Sequence, residues 1–116
     1  MRVQTEIRNM VKNEVAAISF FVAELKTAEG KDQAITLGWF VDNWNRMNPK
    51  HKISDAGGKR IIRHIRDNGL VKRLMADQYG YFVAENKKAY DKYLNMLYRR
   101  MKKLQTTYTA MKRQYA

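Results

Sequence analysis

Between Lys59 and Arg66 four cationic side chains, Lys59, Arg60, Arg63 and Arg66, are interleaved with Ile61, Ile62 and Ile65. A helix turning about 100° per residue puts the isoleucines on one face and Lys59, Arg60, Arg63 and Asp67 on the other, with Arg66 and Lys59 toward the flanks. This pattern suits one kind of chemistry. An apolar spine fixes the depth of a helix in a major groove, and guanidinium forks reach guanine O6 and N7 or the adjacent phosphates. Arg60 and Arg63 are the candidate base readers. Lys59 and Arg66, with Lys50 and Lys52 in the preceding loop, are placed for phosphate, and His64 is expected near phosphate or at the edge of the same face.

Bond-breaking chemistry is not indicated. His51 and His64 are the only histidines, and neither has a carboxylate or a second histidine at metal spacing. The chain has no cysteine, hence no thiolate zinc site, no disulfide framework and no cysteine nucleophile. Its acids are scattered, without paired general-acid carboxylates or a magnesium cluster. The expectation is a protein that is not an enzyme, with no catalytic residue, no metal and no cofactor.

Charge narrows the partner. The 116 residues carry a net charge of +12, unevenly spread. Residues 1–49 hold six basic and six acidic side chains, whereas residues 50–76 hold eight basic and two acidic, and residues 86–116 nine basic and one acidic. Clustered cations of this kind favour a polyanion, because neutralising phosphates releases counterions.

The elements that must position these residues follow from periodicity. Val3, Ile7, Met10, Val11, Val15, Ile18, Phe21, Val22 and Leu25 recur at three- and four-residue steps, a stripe on one long helix ending near Gly30. After a polar turn and the run Ala34-Ile35-Thr36, a second helix carries Leu37, Phe40, Val41 and Trp44, with Thr36 as its cap. Trp39 and Trp44 on this helix are expected as core or half-buried anchors. Pro49 stops it. Ser54 and Asp55 can cap a third helix, Ala56 to Asn68, closed by Gly69. Gly57-Gly58 lacks the GxxxxGK context of a phosphate loop and is read as allowing close backbone approach, to DNA or to the second helix. Leu70 to Ala76 alternates, Asp77 to Gly80 is turn chemistry, and Tyr81-Phe82-Val83 is strand-prone. In such a hairpin Tyr81 and Phe82 are expected to pack rather than to stack on bases. From Asn86 to Tyr115 the residues Tyr90, Leu94, Leu97, Met101, Leu104, Tyr108, Met111 and Tyr115 form an unbroken heptad seam. A helix that long needs a partner for part of its length, either the first helix or a second subunit, and the expectation is a homodimer through a coiled coil.

The segment GKRIIRHIRDNGLVKRLMADQYGYFVAENKKAYDKYLNMLYRRMKKL resembles the winged-helix part of small phage and prophage proteins. The resemblance rests on Arg60, Ile61, Ile65, Arg66, Gly69, Leu74, Gly80, Tyr81, Phe82, Leu97 and Arg100, over about residues 57–104. It implies a mostly α winged helix-turn-helix with a small β-hairpin and long N- and C-terminal helices, binding duplex DNA through the third helix and the wing. Proteins of this kind usually carry a basic residue in the wing turn. Here Asp77, Gln78 and Tyr79 stand there, leaving phosphate contact by the wing tip open, with Lys72 and Arg73 at the wing's base as the candidates to replace it.

The resulting division is a helix over residues 1–30, a winged-helix core over 31–85 (recognition helix about 55–68, wing about 70–84) and a basic helix over 86–116. The functional expectation is sequence-specific binding of double-stranded DNA, as a phage-type transcriptional regulator or replication-associated factor in the cytoplasm of the producing cell. Two alternatives remain: an architectural protein that coats DNA by charge, and an adaptor that uses the winged helix as a scaffold. No stretch has the length and apolarity of a membrane span.

Overall fold

Residues 10–115 are described in the computed structural model, so Val3 and Ile7 of the expected first stripe lie outside the described residues. The described chain is mostly helical, with one two-stranded antiparallel hairpin. It divides into two units, one ending at Ala84 and one beginning at Glu85. The N-terminal helix, expected as a region of its own, belongs to the first of these.

Helix α1 (Lys12–Thr27) buries Glu14, Ala17, Phe21 and Leu25, at the three- and four-residue steps that keep one face inward. Ile18 and Val22 are partly buried against the core, whereas Val11 and Val15 are exposed. The apolar stripe read from the sequence is therefore wider than the arc that is covered, and its centre includes a carboxylate. Helix α2 (Leu37–Met47) begins at Thr36, whose hydroxyl accepts from the Trp39 amide, and ends at Asn48, before Pro49. Phe21 of α1 and Phe40 of α2 stack with ring centroids 4.5 Å apart. Trp44 is partly buried, but Trp39 is an exposed ring stacked on Phe20.

Helix α3 (Asp55–Asp67) has both ends written in local chemistry. Ser54 Oγ accepts from the Gly57 amide at 3.0 Å, and Asp55 adds a favourable charge to the first turn. At the other end Gly69 adopts φ +62°, and the Leu70 and Gly69 amides donate to the Ile65 and Arg66 carbonyls. That pair of bonds is the Schellman stop, which favours glycine.

Strands β1 (Leu74–Asp77) and β2 (Gly80–Val83) pair from Leu74 opposite Val83 to Asp77 opposite Gly80. The hairpin starts later than the alternation suggested, because Leu70 to Arg73 are used in leaving α3 and in a turn where Arg73 takes φ +60°. A third segment lies along β2: Ile35 and Tyr81 exchange both backbone hydrogen bonds, and Val83 bonds to Ala28 and Gly30. Gly80, at φ +126°, lets the Ile35 backbone come where a Cβ would collide with its carbonyl. Phe82 is buried and Tyr81 packs against the core, as expected of the hairpin aromatics.

The second unit holds helix α4 (Lys87–Arg113), 27 residues capped by Asn86, whose Oδ1 accepts from the Ala89 amide. None of its residues is buried. Among the described residues no helix is long and apolar enough to cross a membrane.

Candidate nucleic-acid interface

The face of α3 turned to the core carries Gly57, Gly58, Ile61, Ile62, His64 and Ile65, all buried. The two glycines resolve the choice left open by the sequence. A Cβ on Gly58 would meet Leu37 Cδ1 at 2.7 Å and Val41 Cγ2 at 3.0 Å, and one on Gly57 would meet Glu14 Oε2 at 2.9 Å. The close approach is to α2 and α1, and it seats the helix deeply enough for three isoleucines to disappear behind it.

Lys59, Arg63 and Arg66 are exposed, and the helical turn groups them on the face opposite Ile61 and Ile65. Arg63 is nearest the middle of that face. Asp67, at the helix end, is exposed as well.

Two expected members of the face are placed differently. Arg60 lies at its α1 edge, and its Nε and Nη2 donate to Glu14 Oε1 and Oε2, each at 2.8 Å. The hydrogen bonds and charge of Glu14 raise the guanidinium pKa. The Glu14 side chain is 3% exposed and that of Arg60 44%. The fork expected to grip a base edge is thus occupied along one whole side by a buried carboxylate. His64 is buried beside Ile61 and Ile65, with its ring Nδ1 and its carbonyl both within hydrogen-bond reach of the Asn68 amide group. It sits on the inner side of the helix, one turn before its end, and not on the cationic face. Glu14 was missed at the sequence level, although a signal existed: it stands four residues after Met10 and seven before Phe21, on the covered side of α1.

Lys50 and Lys52 are exposed in the loop before α3, and that loop is held from several sides. Asn45 brackets Ile53, accepting from its amide at 2.8 Å and donating to its carbonyl at 3.0 Å. Trp44 Nε1 donates to the His51 carbonyl and Asn13 Nδ2 to the Lys52 carbonyl. The main chain bearing the two lysines is therefore anchored to both α1 and α2, an arrangement of Asn and Trp side chains that carries no sequence signature.

Lys72 and Arg73 are exposed in the turn that leads into β1. At the hairpin tip Asp77 Oδ1 accepts from the Tyr79 amide, a local bond that shapes the turn. Lys31 Nζ lies 4.8 Å from the centre of the Tyr79 ring, so a cation from the α1–α2 connection stands at a turn that has none of its own. Among the described residues no cluster of His, Asp or Glu could hold a metal ion.

The arrangement offers a stiff helix whose inner face is fully committed to packing, with Lys59, Arg63 and Arg66 outward and Lys50, Lys52, Lys72 and Arg73 exposed in the segments on either side. No family model, curated protein or solved structure matches this chain.

Proposed function

We propose that residues 10–84 form a winged helix that binds duplex DNA sequence-specifically, with α3 as recognition helix and the β1–β2 hairpin as wing. The order α1, an isolated β-bridge at Ile35, α2, α3, β1, β2 supports the fold reading. The observation that carries the functional reading is the division of α3 into a buried isoleucine face and an exposed face of Lys59, Arg63 and Arg66.

In this reading Arg63 is the principal base reader, as the long guanidinium at mid-face with no part in the Glu14 pair. Lys59 and Arg66 flank it, and Lys50, Lys52, Lys72 and Arg73 meet phosphate. Arg60 serves first to fix α3 against α1. The role is that of a regulator or replication-associated factor of the phage type.

A second reading, coating of DNA by charge alone, draws on α4, whose nine basic side chains are all exposed. Selection of binding sites from a random duplex pool at about 150 mM salt separates the two, since charge-only binding is weak there. An enriched motif that disappears with Arg63→Ala supports specific readout. Retention without enrichment favours coating, and no retention of any duplex ends both.

A further inference from the structure

The heptad seam of α4 is uncovered among the described residues. Leu94, Leu97, Met101, Leu104, Tyr108 and Met111 are between 40% and 71% exposed, and Tyr115 is 96% exposed. Together they present apolar surface on the order of 800 Å², what one side of a standard specific interface buries and more than a monomer ordinarily leaves open.

The positions beside the seam decide what covers it. With Leu94, Met101, Tyr108 and Tyr115 in the a positions and Tyr90, Leu97, Leu104 and Met111 in d, the flanking e positions are Asp91, Tyr98, Gln105 and Lys112. The g positions are Tyr93, Arg100, Thr107 and Gln114. The charges are few, and the basic residues Lys88, Lys92, Arg99, Lys102, Lys103 and Arg113 all fall on the outer positions. A helix meant for an acidic partner would place cations along the seam. Apart from Lys87 at the first a position, which is paired with Asp91, this one keeps the seam neutral, as a surface that must meet itself does.

A parallel pairing gives the charged flanking residues no opposite charge, since each g residue faces the e residue five positions on in the other chain: Tyr93 opposite Tyr98, Arg100 opposite Gln105, Thr107 opposite Lys112. It also sets Tyr108 against Tyr108 and Tyr115 against Tyr115. An antiparallel pairing matches the whole seam instead. Within α4, Leu94 meets Met111, Leu97 meets Tyr108, and Met101 meets Leu104, each twice by symmetry, and Tyr90 falls opposite Tyr115 in the turn just past the helix end. In the same register Asp91 faces Lys112 twice along the e edge, once toward each end of the rod, while the g edge sets Tyr93 beside Gln114 and Arg100 beside Thr107, and opposed helix dipoles are favourable as well. Within its own helix Asp91 accepts from Lys87 at 2.8 Å, and a carboxylate can accept from both lysines.

We infer that α4 pairs with α4 of a second copy of this chain as an antiparallel two-helix coiled coil, in register across the point between Met101 and Leu104. The pairing uses none of the DNA-facing residues and stands or falls independently of the DNA-binding reading.

The absence of cysteine makes the test direct, since introduced thiols have no competitors. In the full-length protein, Leu94→Cys and Met111→Cys are prepared separately, then equilibrated together in a thiol–disulfide buffer. The pairing requires a particle of twice the 13.7 kDa chain mass in sedimentation at micromolar concentration. It further requires a cross-link between the two variants when mixed, and none when either is alone, because like positions lie about 25 Å apart along the antiparallel rod. Self-cross-linking of either variant shows a parallel pair and overturns the inference. So does a monomer with intact helix content by circular dichroism, or a dimer in which neither the mixture nor the single variants cross-link. Leu97→Asp with Leu104→Asp, which touches no buried residue, is expected to abolish the dimer while the tryptophan-reported folding of residues 10–84 is kept.

Discussion

Helices α3 and α4 are both basic, both amphipathic, and both opened by a side-chain cap, yet α3 buries six of its residues and α4 none. Periodicity reveals that an apolar face exists but is silent about what covers it. For α3 the cover comes from α1 and α2 of the same unit, admitted by two glycines. For α4 the seam is long, exposed and carries few charges at its borders, which is why a partner helix is proposed to cover it. Under the proposed pairing this becomes a division of labour: α3's inner face holds residues 10–84 together, and α4 is left for association.

The largest expected effect tests that division directly. Ile61 is fully buried, so Ile61→Ala should cost about 3 kcal/mol through lost burial and an unfilled cavity. Leu104, 71% exposed, lies outside that unit, and Leu104→Ala should cost residues 10–84 less than about 0.5 kcal/mol. Both tryptophans lie on α2, so urea unfolding followed by tryptophan fluorescence reports the first unit alone. Equal losses from the two substitutions would erase the distinction between the helices.

The next effect concerns the outer face of α3. Arg63→Ala should weaken DNA binding by about 10- to 100-fold, the loss of one good base contact, with the urea midpoint unchanged. Arg60→Ala should do the reverse. It leaves the Glu14 carboxylate buried without its partner, which is destabilising, so the midpoint falls while affinity changes less. If Arg60→Ala proves the more damaging to binding at intact stability, the base-reading role belongs to Arg60 after all.

These contrasts show where a sequence is readable. The ends of α3 were legible because Ser54 and Gly69 act within a turn of where they stand, and the α4 seam was legible because its period is unbroken. The Glu14–Arg60 pair joins residues 46 apart in the chain, and nothing local announces which arginine of a cationic face will be claimed by a distant carboxylate. His64 was misplaced for a related reason. It is polar, but it falls one step from Ile65 at the border of the covered arc, and Asn68 supplies the partner that makes burial tolerable. The hairpin began late because alternation continued through residues that the Schellman stop and the Arg73 turn had already used.

Close packing of α3 against α1 gives the third test. Gly57→Ala should destabilise by about 1–2 kcal/mol, since the added methyl meets a carboxylate that Arg60 holds in place. Gly38→Ala in α2, where a Cβ meets nothing within 4 Å, should instead stabilise by a few tenths up to about 1 kcal/mol through helix propensity. Opposite signs for the same chemical change would locate the constraint in the α1–α3 contact. A gain from both would mean that Glu14 can move aside.

The smallest effect is at Arg73, whose left-handed backbone, at φ +60°, costs a side-chain-bearing residue about 1 kcal/mol. The turn is held by the Arg73 carbonyl, which accepts from the Ala84 amide at 3.0 Å, so a glycine should adopt it without strain. Arg73→Gly is therefore expected to raise the urea midpoint slightly, the gain being reduced by glycine's greater freedom in the unfolded chain. If the exposed guanidinium meets phosphate, the same substitution lowers the slope of log affinity against log salt by about one unit. Arg73→Lys keeps both the charge and the strain and should change neither quantity. A stabilised protein with an unaltered salt slope would remove Arg73 from the DNA-facing set and leave Lys72 as the cation at the hairpin's base.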